Sequence, residues 1–463
     1  MTIAVRSRRD AAPPKFVTGS ILRHILVMTG AGAIGLMAIF AGDLANIYFL
    51  ASTGDQAVVA AVGYASSILF FSTSIGIGLS IAATALVAPA LGAGLRVRAR
   101  RLSVHAHVLT FVVSAALSVI LWLLIEPMLR YLGAEGRTLA LATTYLAWLL
   151  PTLPMLALGM TSAAVLRSVG DARRAMHVTL IGALVNTALD LFLIVYLGWG
   201  IEGAAIASAI SRVAVMGIGL YGVIAVHRLM GRPKWATISN DAVAFSAIAI
   251  PAVLTNIATP AGNAYVTAAM AQFGDSAVAG WAIIGRIIPV AFGAIYALSG
   301  SVGPILGQNY GAGLPDRMRS VLSMSLWTAT AFTAVAWVIM AISAGSLAEQ
   351  FNADGDARHL IVFFCRWLAP LFVFLAALFI SNAVFNTLGF AHYSTALNWA
   401  RATVGTVPFV VAGASMAGAE GVLAGNMIGG IGFGLIAVYL AFRLIDKLTR
   451  SHAATSAATS YES

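Results

Sequence analysis

Apolar residues run along this chain in long unbroken stretches, separated by short segments rich in Gly, Asp, Arg and Pro. The stretches fall at residues 21–50, 56–90, 101–125, 137–166, 174–197, 202–229, 241–272, 276–310, 317–345, 357–387, 391–415 and 419–446. Each is long enough, as a helix, to cross a hydrocarbon layer of about 30 Å, which takes roughly 20 residues. Half-buried strands would alternate apolar and polar positions, and these runs do not. Only helices and closed barrels satisfy their backbone in lipid. The pattern predicts an all-α polytopic membrane protein of twelve transmembrane helices. Composition agrees: of 463 residues, 60% are hydrophobic and 10% charged, against about 25% charged in a soluble domain.

The pattern also repeats at an offset of about 219 residues. Gly54-Asp55-Gln56-Ala57-Val58 recurs as Gly274-Asp275-Ser276-Ala277-Val278, and Gly92-Ala93-Gly94-Leu95 as Gly311-Ala312-Gly313-Leu314. Trp148 and Pro151 match Trp367 and Pro370, Gly170 matches Gly389, and Glu202-Gly203 matches Glu420-Gly421. The chain therefore divides into an N-terminal six-helix lobe (1–230), a cytoplasmic linker (231–240) and a C-terminal six-helix lobe (241–463). Six is an even number, so both lobes enter the membrane in the same orientation. A parallel pseudo-two-fold axis along the membrane normal relates them, with a substrate path between. Such an arrangement suits alternating access rather than a simple pore.

A net charge of +10 would suggest nucleic acid in a soluble protein, but its placement argues for topology. Arg6, Arg8, Arg9, Lys15 and Arg23 precede the first helix; Arg96, Arg98, Arg100 and Arg101 lie between the second and third. With those of the other even-numbered connections and the C-terminal end, twenty basic residues gather on one side, against Arg130, Arg137 and Arg358 on the other. That asymmetry places both termini in the cytoplasm and leaves no nucleic-acid partner to expect. The single cysteine, Cys365, excludes an internal disulfide. The run Ile21–Leu50 is too long for a cleavable signal.

Ionisable residues inside a span are functional candidates by default. Only Asp43 and Asp190 are carboxylates deep within a predicted helix. Asp43 shares a face with Asn46, and Asn186 with Asp190. Two carboxylates with amide oxygens suit a proton or a Na⁺, the latter at Asp43, Asn186 and Asp190. The intramembrane cations are Arg212, Arg286, Arg366 and Arg401. A guanidinium facing the cavity would disfavour cationic substrates. Tyr265, Met270, Trp281 and Tyr296, with Arg212 and Arg286, are candidates to line that cavity; the alternative is that they face lipid or pack. Pro251, Pro260, Pro289 and Pro304 interrupt helices 7 and 8 and are candidate bending points.

Several stretches resemble the multidrug and toxic compound extrusion (MATE) family: Ala60-Ala61-Val62-Gly63, Leu91-Gly92-Ala93-Gly94, Leu166-Arg167-Ser168-Val169-Gly170-Asp171-Ala172-Arg173, and Gly198-Trp199-Gly200-Ile201-Glu202-Gly203. The most specific is Gly307-Gln308-Asn309-Tyr310-Gly311-Ala312-Gly313. The resemblance implies export of cationic or amphipathic organic compounds, driven by inward flow of H⁺ or Na⁺, in a bacterial inner membrane. In family members with a cation site in the N-terminal lobe, helix 5 carries Asn and Asp at the positions of Asn186 and Asp190. Ser208 falls where those proteins have a helix 6 hydroxyl. The family's helix 1 Asp aligns with Asn46, so Asp43 departs from the pattern by one turn. Arg212 follows Ser208 by four residues, within reach of Asp190. A lipid-linked saccharide flippase of the same superfamily is the alternative.

Other signals carry less. Gly217-Ile218-Gly219-Leu220-Tyr221-Gly222 has the spacing of a dinucleotide loop but lies within a helix with no preceding strand. Such small residues, like Gly421, Gly425 and Gly429, let helices approach closely. His105 and His107 read as a solvated helix end. No Walker lysine or hydrolase motif occurs, so neither ATP, an enzyme activity nor a cofactor beyond the coupling ion is expected. The expected partners are small organic molecules and the bilayer, around a monomer.

Overall fold

The computed structural model describes residues 14–51 and 54–461, giving backbone alone for residues 51 and 451–461; the predicted charges at Arg6, Arg8 and Arg9 lie outside them. Every regular element among the described residues is helical. In chain order the spans are α1 (Ile21–Ala51), α2 (Gln56–Gly92), α3 (Arg96–Leu123), α4 (Gly136–Val169), α5 (Ala172–Tyr196), α6 (Gly200–Val226) and α7 (Trp235–Ala271). Then come α8, whose halves Asp275–Ala291 and Gly293–Gly311 meet at 51°, α9 (Pro315–Gln350) and α10 (Gly355–Thr387).

The last two spans, α11 (residues 391–416) and α12 (residues 419–461), meet at a reversal at Ala417 (φ −143°) and Gly418 (φ 58°). Glycines show that the chain folds back on itself there. A Cβ on Gly413 would overlap the Gly421 carbonyl, one on Gly425 the Phe409 carbonyl, and one on Gly429 the Gly405 carbonyl. These pairs step outward on both sides of the reversal, as in an antiparallel hairpin closed by small residues. The expected break at residues 415–419 and the close approach of Gly421, Gly425 and Gly429 are both observed.

Two expected boundaries move. The third helix begins at Arg96 rather than residue 101, so the arginines assigned to a loop sit on the first turns of α3. From there Arg96 donates to the carbonyl of His227 (2.7 Å) and Arg100 to that of Met230 (2.7 Å). The seventh begins at Trp235 rather than 241, so much of the expected 231–240 linker is helical. Its first turns are held from α3: Asp241 accepts from Arg101 and His105, and the Lys234 N–H donates to His105 Nε2 (3.2 Å). A short helix, Ile125–Tyr131, joins α3 to α4.

The twelve helices form two lobes, α1–α6 and α7–α12, and the sequence repeat reappears as a repeat of local structure. Helices α2 and α8 both end on a left-handed glycine, Gly94 (φ 73°) and Gly313 (φ 67°). The following N–H, Leu95 or Leu314, closes back on Ala90 or Asn309 respectively. This is the glycine stop of a Schellman motif. Helices α4 and α10 each carry a 3₁₀ turn around Pro151 or Pro370. One apolar core lies wholly within α1–α6, from Leu50 to Ala205, and another fills α7–α12 and reaches across to Phe16, Ile21, Ile25, Met28 and Ala172.

At the end of the bundle bearing the arginine-rich connections, here the basic end, the lobes meet on their symmetry axis. A Cβ on Gly92 would overlap the Gln308 carbonyl, and one on Gly311 the Pro89 carbonyl. Under the repeat, Pro89 is the mate of Gln308 and Gly92 of Gly311, so the contact is reciprocal, as at an isologous dimer interface. The segment before α1 fills the seam. Phe16 N–H donates to Gln308 Oε1 (2.8 Å), Gln308 Nε2 to the Ser168 carbonyl (2.7 Å), and Lys15 Nζ to the Gly170 carbonyl (2.6 Å). Phe16, Gln308 and Asn309 are all buried, which gives the Gly307–Gly313 stretch its structural role.

Asp171 caps α5 at the same end, accepting from the Arg174 N–H (3.1 Å), the Arg174 guanidinium (2.6 Å) and His227 Nε2 (2.8 Å). Partial burial works against its charge, but these bonds outweigh it and hold the carboxyl below its ordinary value of 3.8. The depressed carboxylate contributes stability above that ordinary value and loses it as pH falls through the folded one. Asp171→Ala is expected to cost about 1–2 kcal/mol at pH 7. Thermal unfolding in detergent should show the gap between variant and wild type closing below about pH 4.

Candidate functional site

Helix α1 docks on α5 through a stripe of small residues. A Cβ on Gly35 would overlap the Thr179 hydroxyl, and one on Gly42 would lie 3.2 Å from Thr187 Oγ1. One turn beyond Gly42 the stripe reaches Asn46, whose Nδ2 donates to Asp190 Oδ2 (2.9 Å). Asn186, one turn before Asp190 on α5, donates to the same oxygen (2.6 Å). Asp190 has no exposed surface, and Asn46 is buried. Here α5 passes from α-helix, ending at Asp190, into a π-helical turn over Leu191–Tyr196. Such widened turns free backbone groups and occur often at functional sites.

The second oxygen, Asp190 Oδ1, is buried with no hydrogen-bond partner. A buried polar atom left unpaired costs about 1–3 kcal/mol, and more where the group is charged. A proton on Oδ1, or a cation against it, removes that cost. Both neighbouring amides turn nitrogen, not oxygen, toward the carboxylate. The arrangement is therefore a carboxyl held by two donors on one oxygen, with the other free to take up a positive charge.

Asp43 is not hydrogen-bonded into this cluster, although its charge lies within electrostatic reach of Asp190 and Tyr145. It is exposed and accepts no hydrogen bond among the described residues. The reason is angular: at 100° per residue, Asp43 lies one step round α1 from Gly42, off the stripe that faces α5. The expected Na⁺ shell of Asp43, Asn186 and Asp190 is thus not assembled. Ser208, half-buried on α6, sits beside Tyr145 of α4, a residue the sequence reading missed. Tyr145 lies in electrostatic reach of both Asp190 and Arg212.

Arg212 is not a cavity residue and does not pair with Asp190. It is 9% exposed, and its guanidinium donates to the Leu149 carbonyl (2.7 Å) and Thr152 Oγ1 (3.1 Å) at the 3₁₀ turn of α4. That turn leaves carbonyls unpaired within the helix, and Arg212 satisfies one of them. Met270 is likewise core, with no exposed surface. Tyr265 is half-buried against the C-lobe core. Trp281 donates to Thr267 Oγ1 (2.9 Å). Tyr296 packs against Phe379, with ring centroids 5.6 Å apart. Arg286 is exposed on α8.

His105 and His107 are not a solvated end: both are buried, at 1% and 3% exposure. His105 Nδ1 meets Asp241 Oδ2 at 2.6 Å, and His107 Nε2 meets Ser162 Oγ at 3.0 Å. Among the described residues, no three His, Cys, Asp or Glu side chains converge as a metal site would require.

Comparison with known proteins follows the same lines. A transporter named for FAD in Shewanella oneidensis is 28% identical over 452 residues, 95% of this chain and 98% of that protein. The multidrug export protein MepA of Staphylococcus saprophyticus is 22% identical, covering 94% and 96% of the two chains. The crystal structure of a point mutant of the Vibrio cholerae MATE transporter VcmN superposes with a TM-score of 0.87 at 26% identity, over 93% of this chain and 97% of that one. The MatE family model matches twice, at residues 32–192 and 251–412, once in each lobe. Two such halves, meeting on a shared axis over the whole length of the fold, make this chain a membrane transporter of the multidrug and toxic compound extrusion (MATE) family.

Proposed function

We propose that this transporter exports organic compounds by alternating access, driven by protons that enter through Asp190. The observation that carries the reading is the buried, unpartnered Oδ1 of Asp190. One free carboxylate oxygen, with amide nitrogens on the other, suits a single proton. A Na⁺ would want several oxygens turned inward. Ser208 and Tyr145 belong to the same pocket, and Asp43 is an exposed acid one turn away on α1.

The positive-inside pattern supports a cytoplasmic basic end, with both termini on that side. In that orientation the seam at Gly92 and Gly311 closes the cytoplasmic face. The His227–Lys234 segment then divides the lobes on the cytoplasmic side. The names of the relatives, FAD transport and multidrug export, both describe movement of organic molecules, and their sources support a bacterial cytoplasmic membrane.

The test is efflux of fluorescent organic compounds from proteoliposomes, under a pH gradient and separately under a Na⁺ gradient. Efflux under the pH gradient alone is expected. Efflux under the Na⁺ gradient alone would overturn the proton assignment. No efflux under either would overturn export and favour a substrate such as a lipid-linked saccharide.

A further inference from the structure

The two lobes repeat each other in fold but oppose each other in charge. In the N-lobe the helix pair α1 and α5 carries Asn46, Asn186 and Asp190. The repeat mates of those helices, α7 and α11, carry Thr259 and Arg401. Among the described residues no acid forms an ion pair with that arginine. The nine Asp and Glu residues of the C-lobe are Asp241, Asp275, Asp316, Glu349, Asp354, Asp356, Glu420, Asp446 and Glu462, the last outside the described residues. Among the described ones, Asp241 is held by Arg101 and His105 near the start of α7, Asp446 is partly exposed on α12, and the others lie at or beside helix ends or turns. Among the described residues Arg319 pairs with Asp446, Arg358 with Glu349 and Arg101 with Asp241, all outside the interior.

Arg401 sits where α11 opens into a π-helical turn, Arg401–Gly405. Among the described residues its side chain makes one long hydrogen bond, from a terminal nitrogen to Thr259 Oγ1 at 3.3 Å, and its Nε is buried with no partner. Tyr296 of α8 lies within electrostatic reach of the guanidinium. Leaving a guanidinium in a membrane interior without an anion is costly, and such residues face a partner or a path. An Nε–H beside a weakly held terminal N–H is one edge of the guanidinium fork, the shape that accepts a carboxylate or phosphate through two bonds. Arg286 adds a second cation on α8, about 16 Å along the helix from Asp275. It is exposed, with no ion pair among the described residues.

We propose that Arg401, with Thr259 and Tyr296, forms an anion site in the C-lobe that receives the carboxylate or phosphate of an exported organic anion, and that Arg286 draws such anions toward it. This rests on the export reading above and names its substrate class. The N-lobe then handles the positive coupling ion and the C-lobe the negative cargo, so each charge meets a wall of opposite sign.

Fluorescein and rhodamine 123 test this, being xanthene dyes of similar shape and opposite charge. Wild-type protein should bind fluorescein in detergent more tightly and export it preferentially from proteoliposomes. Arg401→Gln should weaken fluorescein binding roughly 10- to 100-fold, the worth of a charge-assisted pair, and leave rhodamine 123 binding unchanged or stronger. Arg401→Lys should keep part of the preference, and Arg286→Gln should slow uptake of the anion more than it weakens its binding. Removing an unpaired buried charge should not unfold the protein, which size-exclusion profiles and thermal unfolding check directly. Preference of wild type for rhodamine 123, or a dye ratio unmoved by Arg401→Gln, would overturn the anion site while export stands. Arg401-dependent binding of phosphatidylglycerol with none of fluorescein would assign the site to a lipid headgroup and overturn the cargo reading. Transport of neither dye would overturn both.

Discussion

Asp190→Asn is expected to lower pH-gradient-driven efflux at least about 100-fold while leaving substrate affinity within about threefold, because coupling requires a group that changes charge between two states of the carrier. The substitution is nearly isosteric. Its amide oxygen can still accept from Asn46 and Asn186, so α1 and α5 remain joined. What disappears is the oxygen that takes up and releases a positive charge. Without it the gradient has no purchase on the conformational equilibrium, and substrate only exchanges down its own gradient. Two measurements separate this from general damage. Exchange of labelled substrate across the membrane should persist in the variant and become independent of pH, whereas wild-type exchange should vary with pH. Asn46→Leu, which removes one of the two donors and leaves the carboxyl in place, should fall between the two. Full gradient-driven efflux by Asp190→Asn would remove Asp190 from the coupling role and point to Asp43.

The legible part of this protein was its periodicity. Twelve apolar runs, the repeat at about 219 residues and the glycine spacing near 421–429 required no knowledge of packing, because each follows from backbone needs in lipid. Asp190 and Asn186 were legible for a related reason, since an acid deep in a span is conspicuous against apolar neighbours. The azimuth of each residue was not. Asp43 and Asn46 share a face by spacing, yet docking of α1 through Gly35 and Gly42 sends only Asn46 to Asp190. Arg212, four residues after Ser208, looked like a partner for Asp190, and instead answers an unpaired carbonyl at a turn of α4 that a hydropathy pattern cannot reveal. His105 and His107 looked solvated because they face different sides of helix 3 near its cytoplasmic end. They are buried because His105 meets Asp241 and the Lys234 N–H at the start of α7, and His107 meets Ser162 of α4. Short-range spacing fixes which residues share a helix; which neighbour each meets depends on contacts more than 100 residues away.

Gly311→Ala should abolish sealing of the basic end, although it adds a single methyl group. The added carbon would overlap the Pro89 carbonyl, a backbone atom that no rotamer change can move aside. Helices α2 and α8 would have to separate, and with them the lobes. Overpacking of this kind costs about 2–3 kcal/mol, enough to shift a two-state equilibrium roughly 30- to 100-fold. The reciprocal change, Gly92→Ala, meets the Gln308 carbonyl and should act in the same direction. The two together should exceed either alone by less than their sum, since one separation relieves both clashes. The N-lobe keeps a core of its own and the larger core is centred in the C-lobe, so the fold should survive. The proper control is Gly300→Ala on the same helix, where a Cβ meets nothing within 4 Å. Spin labels on cysteines introduced at Ala93 and Ala312, which flank the seam on either lobe, would report the separation as a longer distance between labels. Efflux should fall in step with that distance. A variant with the wild-type distance and full efflux would show that the glycine contact is not the closing surface, and would leave the Phe16–Gln308 bridge as what holds the lobes together there.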